Sequence, residues 1–284
     1  MEKSKRLFHI ELLQAFGILC VFLGHAIRIY YDGGWYFHKT QPVLMFDIID
    51  KFIFSFHMPL FMFLSGYLFY LNKDKIENAW EYVIKRVKRL LVPFYFAGFL
   101  YVLPMICFIN PLEKSVGFYY ISFLTLDYTW HLWYLIALFI ITLFFVLYYF
   151  KLNKLNKYVL LAVLIGISLL ATTGPSSCLA RIPKFAIYFY LGCLFVENKD
   201  FIEQTLSKFI WVILPAFLSL EVLLYFAYKN VLVGFGCAVL GILFFYLLGL
   251  KLSQKVNGQN KIISFFSLNN IFCSCDIRVL LFFG

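Results

Sequence analysis

The chain has 284 residues, 63% of them hydrophobic and only 14% charged, and its mean hydropathy of +0.84 lies far outside the range of water-soluble domains. Its apolar residues come in blocks of roughly 20, the length a helix needs to cross about 30 Å of hydrocarbon, which excludes an ordinary soluble fold. The formal charge of +10 does not imply nucleic-acid binding, because much of it sits in connectors between apolar blocks, where it sets topology and meets anionic headgroups.

In chain order the predicted spans are residues 10–31, 48–71, 90–109, 130–150, 158–172, 184–196, 209–228 and 231–250. A ninth begins near Ile262 and is interrupted by Asp276 and Arg278. The expectation is an all-α, polytopic integral membrane helical bundle of about 8–9 transmembrane helices, forming one membrane-embedded domain over residues 1–284. The basic start "MEKSKR" resembles a secretory signal, but no small-residue cleavage site follows, so the first block reads as a retained span. Basic connectors recur on every second side, in "NKDKIENAWEYVIKRVKR", "KLNKLNK" and "KLSQKVNGQNK", which predicts a cytoplasmic N-terminus. The seven cysteines show no CxxC spacing; they read as buried small hydrophobes, and no metal site is expected.

The stretch "CVFLGHAIRIYY" puts His25 about 7 to 9 Å below the outer end of the first span. Glu11 and Gln14 share its helix face, so a polar stripe crosses most of the membrane, and such stripes turn toward partners or a water-filled path. Interhelical hydrogen bonding alone accounts for a stripe of this kind equally simply. In the second span, "FSFHMPLFMFLSGYLF" sets His57 at a similar depth, with Pro59 expected to kink or locally open the helix and Ser65 and Gly66 permitting close approach of a neighbour. His131 and Trp133 stand at the outer start of the fourth span, where an aromatic belt also accounts for the tryptophan. On the cytoplasmic side, "YVIKRVKRLLVPF" carries Arg86 and Arg89, three apart, which can clamp a phosphate or simply anchor the span at the inner surface.

Four blocks, "ELLQAFGILCVFLGHA", "FHMPLFMFLSGYLF", "KRVKRLLVPF" and "HLWYLIALF", in this order and spacing over roughly residues 6–270, resemble the membrane acyltransferase 3 family. The likeness is strongest to its sugar O-acetylase branch, the enzymes similar to fucose 4-O-acetylases and capsule or exopolysaccharide modifiers. The resemblance implies a polytopic enzyme, typically of about ten helices, in the bacterial plasma membrane. Such an enzyme moves an acetyl group from cytoplasmic acetyl-CoA, its co-substrate, to a hydroxyl of an envelope glycan or lipid-linked sugar. It implies that His25 is essential to transfer, with Glu11 as the retained acidic position, and that Arg86 and Arg89 meet the donor's phosphates. His57, His131 and Trp133 are candidates to orient His25 or to bind the sugar.

Two positions depart from the family's pattern. An arginine often stands eleven residues before the histidine; here that residue is Gln14, which hydrogen-bonds but cannot pair as a charge, so the arginine's role is not carried over. The last segment, "FFSLNNIFCSCDIRVLLFFG", loses the family's pattern after Ile271 and reads as a truncated or frame-shifted end, about residues 272–284. Neutral imidazole suits a general base for an alcohol attacking a thioester, and it can alternatively carry the acetyl group transiently. The other readings are a polysaccharide exporter, which a polar stripe inside a bundle serves equally well, and an inactive truncated acyltransferase.

Overall fold

The computed structural model describes residues 7–28, 43–104, 115–127, 129, 132–151, 156–171, 178–227 and 230–255. All regular structure among them is helical. The helices are α1 (Phe8–Arg28), α2 (Leu44–Leu71), α3 (Ala79–Arg86), α4 (Val92–Ala97), α5 (Val116–Leu124), α6 (Trp133–Lys151), α7 (Lys157–Ala171), α8 (Cys178–Glu197), α9 (Lys199–Gln204), α10 (Ile210–Phe226) and α11 (Val231–Lys255). Six described helical runs are long and apolar enough to cross a membrane: α1, α2, α6, α8, the run Lys199–Phe226 and α11. The described parts of the predicted spans at 90–109 and 158–172, residues 90–104 and 158–171, are helical too. The first is a rod broken by two π-turns, and α7 has 15 residues, a rise of about 22 Å. The chain is thus a polytopic helical membrane protein. The ninth predicted span lies outside the described residues.

Side-chain caps start several of these helices where the sequence supplies Asn or Ser. Asn78 accepts the Trp80 N–H at 2.9 Å, Asn156 that of Tyr158 at 2.9 Å, Ser115 that of Phe118 at 3.3 Å, and Asn230 those of Leu232 and Val233 at 3.1 and 3.2 Å. Each satisfies an amide that the first turn leaves without a partner. Pro59 does not break α2, which is helical from Leu44 to Leu71. The proline removes one donor, and the rest of the ladder carries the helix through.

The described helices fall into two compact units. One draws on Met1–Leu64 and Leu194–Asp276, the other on Ser65–Cys193. In the first unit α1 buries Ile10, Leu13, Gln14, Gly17, Cys20, Gly24 and Ile27, a stripe at helical spacing, and leaves Leu19, Phe22 and Leu23 exposed as a lipid-facing side. Close approach follows from small residues: a Cβ on Gly17 would stand 2.8 Å from the Phe61 ring, one on Gly24 3.1 Å from Phe54, and one on Gly249 3.2 Å from Leu13. Phe56 and Phe245 stack at 4.6 Å between Phe16 and Phe217, filling the centre of this unit with rings. The second unit centres on Phe145, stacked on Phe189 at 4.9 Å and on Tyr190 at 5.7 Å. There Gly66 lets α2 meet α8 backbone to backbone, since a Cβ would come within 1.9 Å of the Phe189 carbonyl oxygen. Cys20, Cys193 and Cys237 are buried free thiols, as expected of small hydrophobes.

Candidate functional site

In the first unit, Asp50, Phe54 and His57 recur at i, i+4 and i+7 along α2 and so share a face, the face turned to α1. Arg28, at the last turn of α1, donates from Nε to Asp50 Oδ1 at 2.9 Å and from Nη2 to Oδ2 at 3.3 Å, a two-point pairing. Its guanidinium also lies 3.6 Å from the centroid of the Phe54 ring, whose edge meets His57 at 4.6 Å and 85°. His57 is 2% exposed, and its Nδ1–H donates to the Ile53 carbonyl at 2.7 Å. That bond selects the tautomer in which Nε2 is the acceptor. His25, half-buried on α1 beside Gly24, lies close enough to His57 to interact with it electrostatically, as does Arg28. Two of the residues predicted for the site are therefore neighbours in space, joined by an ion pair and a ring that hold the two helices in register.

Glu11 stands 14 residues before His25 on the same helix, about 21 Å away along its axis, and is half-buried. Between them Gln14, one turn after Glu11, is buried at 6% exposure, so the polar stripe does turn inward there.

Arg86 and Tyr82 belong to the second unit. Arg86 is half-buried; its Nε and Nη2 donate to the Tyr82 hydroxyl at 2.9 and 2.5 Å, and its guanidinium lies 4.9 Å from that ring's centroid. Phe139, Thr142, Leu143 and Val146 of α6 face Arg86 across a narrow gap, which sets it beside the middle of that helix. Arg89 is exposed and lies in a π-turn, Val87–Leu91. The step from Arg86 to Arg89 is thus wider than the α-helical one the sequence suggests. Pro93 explains the turn: it has no N–H and its ring crowds the carbonyl one turn back, a conflict that a wider turn relieves. Against the start of α3 lies a cleft of about 140 Å³ lined by Lys75, Ile76, Glu77, Asn78, Glu81, Tyr82 and Lys85. Trp133 opens α6, packed on Phe185 at 5.1 Å and under the Arg181 guanidinium at 4.8 Å. His131 lies outside the described residues. Among the described residues no group of His, Cys, Asp and Glu could hold a metal ion.

The sequence reading missed three participants. Arg28 and Asp50 are one pair, 22 residues apart. Glu221 on α10 is the third, accepting a hydrogen bond from the Ser55 hydroxyl at 2.6 Å on the opposite side of α2 from His57. On that same side Lys51 pairs with Asp47 at 2.9 Å and lies over Tyr225 at 4.6 Å. An acid alone in the middle of an apolar span is a signal in its own right, since such groups are costly in hydrocarbon.

A family model described as an acyltransferase domain matches residues 8–272. Nodulation protein NolL of Sinorhizobium fredii is 27% identical over 205 residues, covering 67% of this chain and 49% of NolL. Glucans biosynthesis protein C of Shigella dysenteriae and of Escherichia coli are each 26% identical over 148 residues, which is 49% of this chain and 38% of theirs. The chain therefore spans about half or less of the length of these curated relatives. No solved structure matches. With the family model covering nearly the whole chain and its residues carried on helices of membrane length, the protein belongs to the acyltransferase 3 family and is a multi-pass membrane protein.

Proposed function

We propose that this chain transfers an acetyl group from cytoplasmic acetyl-CoA to a hydroxyl of an extracytoplasmic envelope or surface polysaccharide sugar, in the bacterial plasma membrane. The observation that carries the reading is that His25 lies within electrostatic reach of a buried His57 whose Nδ1–H is tied to the Ile53 carbonyl, within a chain of acyltransferase family. The name of glucans biosynthesis protein C associates that relative with a glycan, which supports a sugar acceptor here.

His25 takes the proton of the sugar hydroxyl as the oxygen attacks the thioester carbonyl carbon. The C–S bond then breaks, the ester forms, and the proton passes to the departing thiolate to give free CoA. An acetyl-histidine that forms first and is then attacked by the alcohol balances equally. His57, fixed in one tautomer, orients His25 or the incoming hydroxyl. Arg86 and Arg89 hold the donor's phosphates. Tyr82 supports the first of them, and the cleft at the start of α3 offers space for part of the nucleotide.

The test is the O-acetyl content of purified envelope polysaccharide, read by NMR in cells lacking the gene and complemented with this chain or its variants at equal membrane expression. Acetyl esters return with the unaltered chain and not with His25→Ala or with Arg86→Ala plus Arg89→Ala. If polysaccharide amount rather than its acetylation depends on the gene, the chain acts in export and the proposal fails.

A further inference from the structure

We infer that Lys73 is a further donor-binding cation, which with Arg86 brackets a cleft for the nucleotide end of the acyl donor and reads the phosphate on its ribose; this rests on the acetylase reading and names what that site selects. Lys73 opens the single turn Lys73–Lys75 that follows α2, and it is half-buried. Its ammonium lies 4.1 Å from the centroid of the Tyr70 ring and 5.6 Å from that of Tyr149. Ring faces hold a cation in place without neutralising it. Arg86 is placed in the same way, over the Tyr82 ring and bonded to its hydroxyl. Among the described residues neither cation meets a carboxylate, whereas their neighbours find polar partners: Lys75 donates to Asn72 at 3.1 Å, and Lys85 leans on Glu81 at 4.0 Å. Two half-buried positive charges left without a counter-charge favour an anion. Anchoring at the membrane surface does not account for Lys73, because an anchoring lysine extends its head into water, and this one lies back over two rings.

One aromatic cluster joins the two cations. Phe69 lies 5.9 Å from Tyr149 and 6.0 Å from Tyr82, so Lys73 and Arg86 stand at opposite ends of a connected row of rings. The cleft of about 140 Å³ opens between the same two elements, since Lys75 on its wall comes from the turn that carries Lys73 and Tyr82 from the helix that carries Arg86. Position along α6 orders the pair. Arg86 faces Phe139, Thr142, Leu143 and Val146, whereas Lys73 lies over Tyr149, three to ten residues further on, about 5–15 Å along the axis. Arg86 is therefore beside the middle of the helix and Lys73 beside its end. Coenzyme A carries a pyrophosphate, from which the pantetheine arm leaves, and a separate phosphate on the 3′-oxygen of its ribose. The arm has to run into the bundle, so the pyrophosphate belongs with Arg86 and the ribose phosphate with Lys73, with the cleft between them for the nucleoside. A lysine suits that terminal phosphate, which it meets as a point charge, while the guanidinium forks onto the pyrophosphate oxygens.

The experiment compares binding of coenzyme A and of its 3′-dephospho form to the full chain in nanodiscs of phosphatidylcholine, with acetyl transfer from acetyl-CoA to glycan measured on the same preparations. Coenzyme A should bind about tenfold tighter, an advantage that shrinks with added salt. Lys73→Gln should bring coenzyme A down to the affinity of the dephospho form while leaving the dephospho form unchanged. Lys73→Arg should keep the preference, which separates loss of charge from loss of fold. Arg86→Gln should weaken both nucleotides alike. Equal binding of the two by the unaltered chain, a preference that survives Lys73→Gln, or equal weakening of both in that variant overturns the assignment. If the preference is present and depends on Lys73 but no acetyl ester forms, the acetylase reading fails while the nucleotide site stands.

Discussion

His25 and His57 are neighbours because Arg28 and Asp50 hold α1 against α2 at their shared end, so the pair is the positioning device of the histidine site. Asp50→Asn weakens a pairing whose carboxylate is almost fully buried, and should destabilise the detergent-solubilised protein by about 1–3 kcal/mol, read as a lower thermal midpoint. Acetyl transfer should fall with it, and Asp50→Glu should restore part of both. His25→Ala should leave the thermal midpoint near that of the parent and lower kcat by about 10²–10⁴, the range general acid–base catalysis supplies. A folded His25→Ala enzyme of normal kcat would remove the histidine from the chemistry. Ser55→Ala takes the donor from Glu221 and should cost about 1–2 kcal/mol without changing which acceptor is used, since that side of α2 looks away from His57.

At the scale of the elements, helix contact depends on glycines whose missing side chains let backbones meet. Gly66→Ala would drive a methyl into the Phe189 carbonyl and should cost about 1–3 kcal/mol, whereas Gly166→Ala, with open space around it, should be neutral or stabilising by up to about 1 kcal/mol. Thermal unfolding of the two variants side by side checks the contrast. The long spans were legible because hydrophobic blocks of membrane length have few other uses in a chain this apolar. The π-turn at Val87–Leu91 was not, because a hydrogen-bond register leaves no periodic mark in the sequence; Pro93 was visible, but its effect depends on what the preceding turn can yield. The nine-residue α5 was likewise missed, being too short to register as a span; it is held by Phe123 packed on Phe94 at 4.7 Å. At the site, His25 and His57 were legible as polar groups in costly surroundings. The Arg28–Asp50 pair was not, because each residue alone reads as an ordinary charge at the end of a span, and only the meeting of two helices joins them.

For the molecule as a whole, the proposed function assigns the donor's phosphates to Arg86 and Arg89 and activation of the acceptor hydroxyl to His25. Arg86→Ala with Arg89→Ala should therefore raise KM for acetyl-CoA about tenfold or more while leaving KM for the sugar unchanged, checked by steady-state kinetics on the purified chain. The most direct measurement uses inverted membrane vesicles, with the cytoplasmic face outward, labelled acetyl-CoA added outside and glycan acceptor sealed inside. The account predicts labelled acetyl esters on the enclosed glycan, present with the unaltered chain and absent with His25→Ala. Label appearing only when donor and acceptor share a side, or persisting in His25→Ala, would contradict it.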